Sequence, residues 1–290
     1  MARSLPRTFA RTAAFPLLFL LAGLGFGCAT ETDVVGQAIV LVDRGRYSEA
    51  EATLERRVRE HPEDVQARRL LIRVFGLAGD LGRARQESEG LSRQLGPGSP
   101  VPSVELGHAL ELAHRYDEAL ASYDRAAELA PRDPLGPKTG GLRSAHWGEN
   151  ELARPRLEEA LRRDSRDAQT WHALGLVCLN LRDFRAADWA YRSGLMADPR
   201  AIENHVGLAT LALVQERPDA ALREYDAVLA ERPNRTDALL GRSLALIELR
   251  RFDEAEATLG EAEKRGGDRG VIAKQRRLVS ALRTGVKLEH

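Results

Sequence analysis

The stretch Ala168–Ala201, AQTWHALGLVCLNLRDFRAADWAYRSGLMADPRA, decides how the rest of this 290-residue chain is read. Trp171, Leu174 and Cys178 recur at helical spacing, which places them on one face of a first helix. Phe184, Ala187, Tyr191 and Leu195 repeat that spacing in a second helix, and Pro199 stops it because proline cannot continue an α-helix. Gly175 and Ala187 are small enough for the two helices to approach closely where they cross.

Ala187 marks the register. Steps of 34 residues lead to Ala153, Ala221 and Ala255, and back through Ala119, then Ala84 after one step of 35, to Ala50. An aromatic precedes the alanine by three residues at Tyr47, Tyr116, Phe184 and Phe252, and an end proline recurs at Pro62, Pro131, Pro199 and Pro233. This unit resembles the tetratricopeptide (TPR) repeat, a helix–turn–helix of the same period. The resemblance implies an all-α TPR solenoid, a right-handed superhelix of seven repeats with a C-terminal capping helix. The repeats are expected at 31–64, 65–98, 100–133, 134–167, 168–201, 202–235 and 236–269, and the capping helix and tail at 270–290.

Two repeats diverge. In the second, Ile72 stands where a small residue is usual and Ser88 replaces a large apolar one, so Ala84→Leu is expected to cost less than Ala187→Leu. In the fourth, the first helix must fit within Pro134–Leu142, and Pro155 falls inside the second helix, so the array is expected to be softest there.

Arg3, Arg7 and Arg11 precede an uncharged core, Ala13–Phe26, that ends at Gly27-Cys28. A charged start, an apolar core and a small residue before cysteine resemble a bacterial lipoprotein signal. Residues 1–27 are then the signal peptide, Cys28 the lipidated first residue, and 28–30 a short tether that holds the array near the bilayer. The leucine usual three residues before the cysteine is one place early, at Leu24. The alternatives are a secretory signal cut elsewhere or an uncleaved anchor. Ala29, in place of the aspartate that favours inner-membrane retention, leans toward an outer-membrane lipoprotein facing the periplasm.

Charges balance at 43 basic and 43 acidic, and without the leader arginines the balance is 40 to 43. No basic stripe marks a nucleic-acid partner. The histidines lack metal-site spacing, and neither a phosphate loop nor a Gly-x-Ser-x-Gly elbow occurs. Cys178 reads as a buried inert thiol. The expectation is therefore a non-catalytic protein with no cofactor, no metal and no small-molecule substrate.

The TPR resemblance implies that first helices line the partner groove. Carried over position by position, this names Arg69, Arg73, His108, Lys138, Leu142, His146, His172, Leu176, Leu179, Asn180, Val206, Leu213 and Leu244. The same positions include Val104, Glu111, Glu203, Thr210, Leu240 and Ile247. Arg69, Arg73 and Lys138 would favour a ligand with an acidic end. Glu105 and Thr139 do not reproduce the carboxylate clamp of chaperone-type repeats. The implied function is a membrane-anchored scaffold that holds a peptide or helix of an envelope protein, with pilus or secretion-system assembly as its setting. The rival is a regulator or adaptor of a periplasmic cell-wall hydrolase or synthase.

Overall fold

The computed structural model describes residues 33–284, all of whose regular elements are α-helices. Residues 1–32 and 285–290, which include the expected signal segment and Cys28, lie outside the described residues. The chain forms two compact units, divided between Leu129 and Ala130. The first holds α1 (Val34–Asp43), α2 (Tyr47–Glu60), α3 (Val65–Ala78), α4 (Leu81–Leu95), α5 (Val101–Leu112) and α6 (Tyr116–Leu129). The second holds α7 (Leu135–His146), α8 (Asn150–Arg163), α9 (Ala168–Asn180), α10 (Phe184–Ala197), α11 (Ile202–Val214), α12 (Pro218–Glu231), α13 (Thr236–Glu248), α14 (Phe252–Lys264) and α15 (Arg269–Thr284). Odd and even helices pair across short turns, which is the all-α TPR-type fold expected from the sequence.

The turn inside each pair has one geometry. Gly45, Gly79, His114, Gly148, Arg182, Glu216 and Arg250 all have positive φ, between 56° and 82°. Around Arg182, the Arg182 N–H donates to the Leu179 carbonyl at 3.0 Å and the Asp183 N–H to the Cys178 carbonyl at 2.9 Å. This double closure satisfies the last carbonyls of the first helix and requires a left-handed residue at its end. Asp183 and Asp80 then accept from the first-turn N–H groups of α10 and α4, and Asp33, Asp64 and Asp167 do the same for α1, α3 and α9.

Ala50, Ala84, Ala119, Ala153, Ala187, Ala221 and Ala255 are all fully buried. Glycines of the first helices serve a related end. A Cβ at Gly175 would stand 2.4 Å from Tyr191 Cε1, and one at Gly207 2.3 Å from the same atom. The Tyr191 ring therefore fills a slot between α9 and α11 that only glycine leaves open.

The divergent repeats are packed, for local reasons. The Ser88 hydroxyl donates to the Pro102 carbonyl at 2.9 Å, so α4 is tied to α5 by a hydrogen bond where a large side chain is usual. Ala84 is as fully buried as Ala187, so a leucine at either position enters a closed core. The helix expected within Pro134–Leu142 extends to His146 as α7. Its glycines contribute to packing, since a Cβ on Gly141 would stand 2.8 Å from the Leu157 side chain. α8 runs unbroken past Pro155, which faces solvent.

α15 packs against α13 and α14. Its buried Gln275 accepts from the Ser243 hydroxyl and donates to the Leu240 carbonyl at 3.1 Å. Ile272 and Val279 are buried, whereas Lys274 and Arg277 stay in solvent.

Candidate functional site

In the first unit the cations singled out in the sequence are already occupied. Glu105 is completely buried and lies between Arg69 and Arg73. Arg69 Nε donates to Oε1 at 2.7 Å; Arg73 donates through Nε to Oε2 at 2.6 Å and through Nη2 to Oε1 at 3.1 Å. Burial alone would raise the Glu105 carboxyl, but the charge and hydrogen bonds of Arg73, aided by His108 and Arg69, hold it below the usual carboxylate range. Arg73 is only 3% exposed, so it is no groove residue; its guanidinium closes an internal ion pair between α3 and α5. Val104 and Glu111 are buried too. His108 is half-buried, with Nδ1 3.0 Å from the Tyr123 hydroxyl, which donates to Glu111 at 3.2 Å.

In the second unit α9 packs on α11, and α11 on α13. Corresponding turns of α7, α9, α11 and α13 carry Lys138, His172, Val206 and Leu240 in one row, and Leu142, Leu176, Thr210 and Leu244 in the next. A third row has Leu179 and Leu213, with Ile247 buried at its end. The other members are half-buried, except Leu176, which is 44% exposed. His146 and Asn180 are exposed beyond that row, and Asn180 donates to the Asn150 side chain at 3.3 Å. Val214, 48% exposed beside Leu213, extends the apolar surface. It went unselected in the sequence although its place in the repeat matches that of Asn180.

Polar groups border these rows. Lys138 Nζ meets Asp167 at 2.5 Å, at the cap of α9. Burial opposes ionisation of Asp167, but Lys138 and Thr170 outweigh it and lower its pKa. Arg235 bridges Glu203 at 2.7 Å and Asp237. His172 lies 5.9 Å from the Tyr191 ring, and its pKa is lowered by burial, with Arg235 adding to the effect against Glu203. Arg69, Arg73 and Lys138 each meet a carboxylate of this chain, so the expected preference for an acid-ended ligand loses its basis. What the second unit offers is an apolar face bordered by charged side chains that are already ion-paired.

No group of three or more His, Cys, Asp or Glu able to hold a metal occurs among the described residues. Cys178 is buried, and burial raises its pKa away from a reactive thiolate.

The tetratricopeptide-repeat family model matches residues 35–100 and 206–269. Over 245 residues, 78% of this chain, the sequence is 27% identical to cellulose synthase operon protein C of Pseudomonas fluorescens, covering 19% of that protein. It is 26% identical over 121 residues, 40% of this chain, to the heat-shock cognate co-chaperone sgt12 of Aspergillus fumigatus, covering 35% of it. The chain thus spans about a fifth and a third of these relatives. Among solved structures, the C-terminal part of a TPR protein from Cytophaga hutchinsonii superposes with a TM-score of 0.59 at 15% identity, covering 82% of this chain and 98% of that one. YrrB, described as a TPR protein with an unusual peptide-binding site, gives 0.53 at 18% identity, with 68% and 97% covered. These likenesses establish the TPR fold.

Proposed function

We propose that this TPR chain is a non-catalytic scaffold that holds a peptide or helix of a partner protein against the first-helix face of its second unit. The observation that carries the reading is the apolar set Leu142, Leu176, Leu179, Leu213 and Leu244 at matching turns of successive first helices, with Leu176 standing open to solvent. An apolar helix laid across such rows removes area from water at roughly 25 cal/mol per Å², before the cost of association. The peptide-binding site named for YrrB is compatible with this use of the fold. The finer setting, an outer-membrane lipoprotein acting in the periplasm on pilus or secretion-system assembly, rests on the leader and Cys28 alone. Similarity to a protein of a cellulose synthase operon favours a second reading, an adaptor of an envelope polysaccharide or cell-wall enzyme.

A photo-crosslinker at Leu244, followed by identification of the captured protein, separates the two settings. Leu176→Glu tests the face itself. The expected outcome is partner binding weakened by about 1 kcal/mol or more with little change in melting temperature, because Leu176 is a half-open anchor. Full affinity in this variant would place the partner elsewhere, and a large melting shift would make Leu176 a packing residue.

A further inference from the structure

The opposite side of the second unit carries side chains that its packing does not use. On α10, Ala187, Ala190, Tyr191 and Gly194 are buried. Directly away from them Arg185, Trp189, Arg192 and Met196 form one exposed stripe, at successive helical turns. Trp189 is 58% and Met196 85% exposed. Trp171 meets the Trp189 ring edge-on at 4.8 Å, which orients the indole while leaving most of it in solvent.

Beside this stripe lies an open cleft of about 590 Å³, lined by Phe184, Arg185, Asp188, Arg192, Gln215 and Arg217. Of its three guanidiniums, only Arg192 meets a carboxylate among the described residues, Asp188 at 2.8 Å. Arg217 bonds the Gln215 amide oxygen. Arg185 hydrogen-bonds no side chain among the described residues and influences Asp183 only through its charge. Two nearby carboxylates have partners outside the cleft, although Glu224 also acts on Arg192. Asp183 caps α10 and pairs with Arg154 at 3.0 Å, and Glu224 is held by His205 at 2.8 Å. Glu216 and Asp219 flank Arg217 in the chain but do not line the cleft. The cleft therefore keeps an excess of positive charge next to an uncovered indole and thioether.

We infer that this outer face of α10 docks an acidic amphipathic segment of a partner protein, its carboxylates entering the cleft toward Arg185 and Arg217 and its apolar side chains covering Trp189 and Met196. Guanidinium–carboxylate pairs supply direction. Tryptophan, methionine and arginine are the side chains that protein interfaces enrich. The cleft lies between α10 and the turn before α12 and opens widely to solvent, so carboxylate side chains of a docked segment can reach its guanidiniums. The inference does not depend on the first-helix face proposed above.

The test is fluorescence anisotropy of a dye-labelled helical peptide of about 16 residues, long enough for the stripe, with glutamates and leucines sharing one face. A lysine counterpart and anionic phosphatidylglycerol vesicles serve as separate probes. The glutamate peptide is expected to bind, more weakly as salt rises. Trp189→Ala and the double variant Arg185→Glu/Arg217→Glu are each expected to lose about tenfold or more in affinity. The double variant's melting temperature should hold, since both arginines are exposed, Trp189→Ala should show only the small drop of a lost Trp171 contact, and Leu176→Glu should bind as the parent does. Absence of binding, equal binding of the lysine peptide, affinity lost only in Leu176→Glu, or binding of vesicles in place of the peptide would each overturn the assignment.

Discussion

Taking Glu105 and Arg73 out of water costs several kcal/mol per ion unless each satisfies the other. The geometry meets that condition with two hydrogen bonds from Arg73 and a third from Arg69. Glu105→Gln leaves the Arg73 guanidinium buried without a counter-charge, and the expected loss is about 3–5 kcal/mol. The pH dependence follows from the lowered folded pKa of Glu105. Its contribution is complete above the unfolded carboxylate value of about 4.3, and it is lost as pH falls through the lower folded value. Melting temperature followed by circular dichroism should therefore drop on acidification more steeply in the parent than in Glu105→Gln. Parallel curves would show that Glu105 does not carry this acid sensitivity. None of this was legible in the sequence. Helical spacing assigns Arg73 an angle on α3 but says nothing of what stands opposite, and its partner lies 32 residues away.

The helix pairs were legible because their signals are local: a fixed alanine register, small residues at crossings and prolines after second helices. What the spacing hid was the turn between paired helices. Three of its left-handed positions are glycine, Gly45, Gly79 and Gly148, but His114, Arg182, Glu216 and Arg250 adopt the same backbone with a side chain. An L-residue pays about 1–2 kcal/mol there, partly offset by glycine's greater freedom in the unfolded chain. Arg182 stacks over Phe184 at 5.6 Å, so its replacement removes a contact as well. Arg250, at φ 58°, makes the cleaner test. Arg250→Gly is expected to stabilise the chain by about 0.5–1 kcal/mol, seen as a higher urea midpoint at unchanged slope. A lower midpoint would mean that the arginine side chain matters more to this turn than its backbone strain. The candidate face was legible in the same partial way: Leu176 and Leu244 follow from repeat position, as Val214 at the place of Asn180 also could have, whereas the Trp189 stripe does not.

At the scale of the molecule, attachment is the open physical question. No described helix is long and apolar enough to cross a membrane. Membrane association would then fall to the segment before residue 33, where Arg3, Arg7 and Arg11 lead an apolar core that ends at Cys28. A single acyl chain gives only marginal binding, so firm anchoring needs the diacyl and amide-linked chains that lipidation of an N-terminal cysteine supplies. Serine at this position cannot form the thioether to the lipid. Cys28→Ser is therefore expected to move the protein from the membrane to the soluble fraction. Its helical signal and melting temperature should stay those of the parent, since every described helix begins after that residue. Fractionation with mass measurement of the mature amino terminus decides the matter. A lipid-sized mass on Cys28 in the parent, absent in the variant, is the expected pair of results; unchanged partition without lipid mass would remove the lipoprotein reading and leave both proposed docking faces standing.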